Sequence, residues 1–148
     1  MKELNRLKLE QLVARYTGRR EPADGAEQEL FVQRFEELAA RTLLPVLEEV
    51  ATALRKAGHE PQIRHEPDPH KPTLELALGV PGVRDRRNAV GFTVIHRAGH
   101  PLEIQSYAEV NPPQFDLDRF ADPRQVTAEI AERIVLEGLE HVLSCNAR

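Results

Sequence analysis

Between Thr73 and Val80 the chain alternates without a break: Leu74, Leu76, Leu78 and Val80 fall on one side of an extended backbone, and Thr73, Glu75, Ala77 and Gly79 on the other. Strand side chains point to opposite faces in turn, so this pattern selects a strand with one apolar face and excludes a helix. The alternation returns twice. Val90, Phe92 and Val94 oppose Gly91, Thr93 and Ile95; Leu102, Ile104, Ser106 and Ala108 oppose Glu103, Gln105, Tyr107 and Glu109. Pro81-Gly82 and Ala98-Gly99 supply turns between the runs, and a weaker extended stretch at Pro61 to His65 suits a sheet edge, where proline is tolerated. The expectation is an antiparallel sheet of about four strands with one face in need of cover.

Face parity fixes the second hairpin. A two-residue loop at Ala98-Gly99 sets Val94 against Glu103, mixing apolar and charged side chains. A three-residue loop, Arg97-Ala98-Gly99 with Gly99 left-handed, sets Val94 against Leu102 and Phe92 against Ile104. It also sets His96 against His100.

Cover comes from both flanks. Residues from Ala26 to Ala57 read as one long helical segment closed by Gly58 at the left-handed C′ position. It carries two apolar stripes, Phe31, Phe35, Leu38, Thr42 and then Leu43, Leu47, Val50, Leu54, the second shifted by one residue. Pro45 follows the shift, and a proline inside a helix removes a hydrogen bond at a cost of about 3 kcal/mol. A kink or split is expected there, with the two halves burying different faces. After Asn111-Pro112-Pro113, Asp122 with Pro123 and Gln125 forms a capping box for a final helix. Its apolar arc is Ile130, Ala131, Ile134, Val135, Gly138, Val142 and Cys145. The fold class expected is α+β: the sheet packed by a long kinked helix and a C-terminal helix, its core including Leu74, Leu76, Phe92, Val94, Leu102, Ile104, Ile130 and Ile134.

Ahead of this domain, taken as residues 26–148, lies an N-terminal helical arm and linker, residues 1–25. Leu9, Leu12, Val13 and Tyr16 make an apolar stripe on the arm, and Thr17 to Gly25 reads as the linker. Residues 1–20 sum to +4, while 21–60 sum to −5, 61–100 to +2 and 101–148 to −5, giving a net charge of −4. An acidic body repels phosphate backbones, so nucleic-acid binding through the basic arm or through Arg84, Arg86 and Arg87 is a third reading only. With 41% hydrophobic residues the chain is too apolar for disorder. No apolar run approaches the ~20 residues of a membrane span, and the charged first residues are unlike a secretory signal, so a cytoplasmic protein is expected.

Chemistry enters mostly by absence. Phosphate-loop, dinucleotide, nucleophile-elbow and zinc-protease motifs do not occur. The single cysteine excludes an intrachain disulfide. Six histidines remain, and in the expected register His96 and His100 have Cβ atoms ~4.5–5.5 Å apart, a separation that suits two ligands of one zinc ion. If the final helix returned over the sheet, His141 and Cys145, spaced i, i+4, would join them. The leading expectation is a non-catalytic protein-interaction module, adaptor or chaperone-like, that self-associates through the arm stripe Leu9, Leu12, Val13, Tyr16 and the outer sheet face and needs no cofactor. The second is a small zinc-binding enzyme or regulator using His96, His100, His141 and Cys145.

Overall fold

Five strands form one antiparallel meander in the order β1-β2-β3-β4-β5: Glu60–Glu66, Thr73–Gly79, Asn88–Ile95, Glu103–Val110 and Gln114–Phe120. The computed structural model describes residues 21–79, 88–110 and 114–146; the arm stripe Leu9, Leu12, Val13, Tyr16 and the Arg84–Arg87 stretch lie outside the described residues. Among the described residues three helices complete the α+β fold, α1 (Glu21–Leu38), α2 (Leu44–Lys56) and α3 (Ala128–Asn146). α1 already runs at Glu21, inside the stretch that the sequence reads as the end of the linker.

The long helical segment is not split at Pro45. A π turn, Ala39–Leu43, joins α1 to α2, and the Leu44 N–H donates to the Ala39 carbonyl five residues back. Pro45 has no N–H to return to the Arg41 carbonyl, and the wider turn accommodates that loss. It also absorbs the one-residue shift between the stripes. Phe35, Ala39, Leu43 and Leu47 therefore enter the same core, where the sequence predicted two different faces. At the far end Gly58 (φ 92) closes α2: its N–H donates to the Arg55 carbonyl and the His59 N–H to the Leu54 carbonyl.

On the sheet, Leu74, Leu76, Leu78, Val90, Phe92, Val94, Ile104 and Ala108 are buried beneath the helices. Of the predicted core only Ile130 is half-buried rather than buried. α2 lies over β1 and β2, and α3 over β3, β4 and β5. Gly138 lets α3 come close: a Cβ there would stand 2.5 Å from Val90 Cγ1.

Three details differ from the sequence expectation. The β3–β4 pairing sets Val94 against Ile104 and Phe92 against Ser106, two residues along from the predicted register but on the predicted faces. The turn centres on Gly99 (φ 82), with the His100 N–H donating to the Arg97 carbonyl, and Pro101, which has no N–H for a ladder, stays outside the strands. The capping box at Asp122 is present, yet it closes a short 3-10 turn, Pro123–Gln125; α3 then starts afresh, with the Ile130 N–H donating to Thr127 Oγ1. Finally, β5 is a strand the sequence did not announce. One extra residue bulges it opposite Ser106, so Phe115 and Leu117 fall out of phase with Phe120. Ser106 ties the bulge down, accepting from the Asp118 N–H at 2.9 Å and donating to the Asp118 carbonyl at 3.2 Å.

Candidate functional site

The fifth strand decides the fate of the histidine cluster. β4 leaves the His100 end of the sheet, β5 returns to it, and α3 therefore begins at that end and finishes at the other. His141 stacks on Phe115, ring centroids 5.2 Å apart, and Phe115 pairs with Ala108. From Ala108 back to Leu102 is six residues of strand, about 20 Å at the usual rise. His96 and His100 thus sit at one rim and His141 at the other, with Cys145 exposed beyond it, so the four cannot share an ion. Nor do His96 and His100 face each other in a ladder; they line a shallow pocket with Glu27, Phe31, Leu102 and Ala121. Among the described residues no group of three or more His, Cys, Asp or Glu side chains is gathered to hold a metal.

The sheet face turned away from the helices carries a buried polar pair. Tyr107 on β4 and Glu75 on β2 both oppose Gly91 on β3, and the Tyr107 hydroxyl crosses that glycine to donate to Glu75 Oε2 at 2.7 Å. Glu75 is 2% exposed. A Cβ at Gly91 would stand 2.7 Å from both the Tyr107 hydroxyl and Glu75 Cβ, so the glycine is what lets the aromatic ring lie across the strand. Thr93 beside it donates to the Pro72 carbonyl at 3.0 Å. Ala77, Ala89 and Thr93 on this face are buried as well.

Two further places among the described residues carry exposed groups of interest. The π turn and the 3-10 turn bound a groove of about 480 Å³ whose floor is Leu38, Pro123 and Val126 and whose walls carry Arg34, Glu37, Arg41, Thr42 and Arg124. Arg124 is engaged: its guanidinium donates to both carboxyl oxygens of Asp122, the shortest bond at 2.7 Å. That contact first, and the Arg124 backbone N–H second, hold the Asp122 carboxyl at about 2, below its ordinary 3.8. Arg34 and Arg41 make no ion pair among the described residues. The second place is the outward face of α3. Leu136 is 53% exposed and Leu143 38%, seven residues apart on a helix whose inner face, Ala131, Ile134, Val135 and Val142, is fully in the core. Glu132 and Glu140 are exposed on the same outward face, each four residues from Leu136.

Comparison with known protein families, with characterised proteins and with solved structures gave no match to this chain. No helix among the described residues is long and apolar enough to cross a membrane. The sequence reading placed Leu38, Thr42 and Pro123 on helices but assigned no groove residue to a site, and it passed over Leu136 and Leu143. For the leucines a signal existed, since both fall off the apolar arc of the final helix. The groove joins residues about ninety apart in the chain, and no local pattern announces such a meeting.

Proposed function

We propose that the chain is a non-catalytic protein-interaction module that associates with itself. The observation that carries this reading is the outward face of α3: two large apolar side chains, Leu136 and Leu143, stand in solvent two turns apart on a helix already anchored by its other side. Isolated exposed leucines are ordinary, but a pair at heptad spacing on one rigid helix makes the narrow apolar seam by which helices dock. Rigidity matters because a preformed helix has little ordering entropy left to lose on binding. Light scattering tests the reading. The parent should run as a dimer or larger at micromolar concentration, and Leu136→Glu with Leu143→Glu should reduce it to the 16.8 kDa chain while leaving the fold intact. A parent that stays at that mass overturns the reading.

A further inference from the structure

The two exposed surfaces are complementary in charge and in kind. On α3, Glu132, Leu136, Glu140 and Leu143 present an acidic and apolar stripe; beside the π turn, Arg34 and Arg41 stand over the apolar floor of Leu38, Pro123 and Val126. We propose that the groove is the seat of the α3 stripe of a second copy of this chain, an inference that rests on the self-association proposed above. Leucine side chains from the stripe fill the apolar floor, and the two carboxylates meet the two guanidinium groups.

Spacing agrees with this pairing. Glu132 and Glu140 are eight residues apart on α3, about 12 Å along its axis, and Arg34 and Arg41 are seven apart, about 10.5 Å. None of the four has an ion-pair partner among the described residues, whereas Arg124, Arg97 and Arg133 are each paired within their own chain. Arg34 also lies close enough to Asp122 to help hold its carboxyl down, and Glu37 stands in the same groove wall, so the groove keeps a small positive surplus rather than bare charge; opposite net charge on two surfaces of one molecule still favours contact between unlike surfaces over contact of either with itself. Two α3 stripes laid together would oppose four carboxylates, and two grooves would each bring more arginine than carboxylate. A long polyanion is a poorer occupant, since the chain as a whole carries −4 and the two stretches that carry the groove, residues 21–60 and 101–148, each sum to −5. Guanidinium–carboxylate recognition also supplies orientation, because the planar fork accepts a carboxylate in few directions.

Charge reversal provides the test. Arg34→Glu with Arg41→Glu should run as a monomer, and so should Glu132→Arg with Glu140→Arg, each with the circular dichroism and melting of a folded chain. Mixing the two variants should restore association, because the reversed groove of one then meets the reversed stripe of the other, and the unaltered stripe of the first meets the unaltered groove of the second. Association of the mixture should weaken by about tenfold or more on raising salt from low to near-molar concentration, as paired surface charges are screened. Either variant associating alone as the parent does, or a mixture that stays monomeric, overturns the pairing. A parent that associates while both reversals leave it unchanged places the interface elsewhere and spares the self-association itself; a monomeric parent removes both.

Discussion

Single residues in this chain do work that their neighbours make necessary. Ser106 is buried on an apolar face because the β5 bulge leaves the Asp118 backbone in need of a partner, and one hydroxyl both accepts from and donates to it. Gly91 is a gap that Tyr107 crosses to reach Glu75. Asp122 is the residue whose role titrates. Its carboxyl accepts from the Arg124 backbone and side chain, and its value of about 2 lies below the ordinary 3.8. A depressed carboxyl value means that folding favours the ionised form, so its contribution is complete above the unfolded value and is lost as pH falls through the folded one. Urea midpoints measured from about pH 5 down to about pH 2 should therefore fall more steeply for the parent than for Asp122→Asn, since asparagine keeps the capping acceptor but has no proton to gain. Asp68 and Glu103 are also lowered and contribute equally to both chains. Parallel curves would show that Arg124 does not hold the carboxylate in solution.

Elements were legible where their pattern is local. Strict alternation located β2, β3 and β4 and assigned their faces, and β1 was legible as a weaker extended stretch whose proline suits a sheet edge. The bulge hid β5, because one inserted residue moves Phe120 to the opposite parity from Phe115 and Leu117, and an alternation count breaks at that point. Losing that strand reversed the inferred direction of α3 and drew His141 and Cys145 toward His96 and His100, so an error of one element became an error of site. Pro45 marked the right place but not the right device. Nothing in the composition separates a kinked helix from a π turn, and only the shared destination of Phe35, Ala39, Leu43 and Leu47 decides it. The junction of α3 with β3 supplies the test at this scale. Gly138→Ala gains about 1 kcal/mol of helix propensity, yet its methyl meets Val90, whose branched side chain is fully buried and has nowhere to turn. Overpacking of this kind costs about 1–3 kcal/mol, so net destabilisation of up to about 2 kcal/mol is expected in the parent. In a Val90→Ala background the same change should be neutral or stabilising. Equal effects in the two backgrounds, read from urea unfolding, would mean that α3 does not rest on β3 at Gly138.

Among the described residues most buried apolar side chains form one cluster that takes Phe35 from α1, Leu43 from the π turn, Leu47 from α2, Leu74, Phe92 and Ile104 from the sheet, and Ile134 from α3. A core shared by every helix leaves no element with stability of its own, and cooperative unfolding follows. Phe92 is its central point: fully buried on β3, between the strands that carry α2 and the strands that carry α3. Phe92→Ala should cost about 3–5 kcal/mol, a large share of the roughly 5–15 kcal/mol that holds a domain together. The loss must then be felt on both sheet faces. The chain has no tryptophan and two tyrosines, so in a Tyr16→Phe background the emission of Tyr107 reports on the outer face alone, while far-ultraviolet dichroism at the helix band reports on the helices of the inner one. Both signals should move to lower urea together in the Phe92→Ala chain and should coincide with each other in the parent as well. If Tyr107 reports a transition separate from the helices, the sheet outlives its cover and the core is not one unit. If Phe92→Ala leaves the midpoint where it was, the packing of β3 against the helices is not what stabilises the fold.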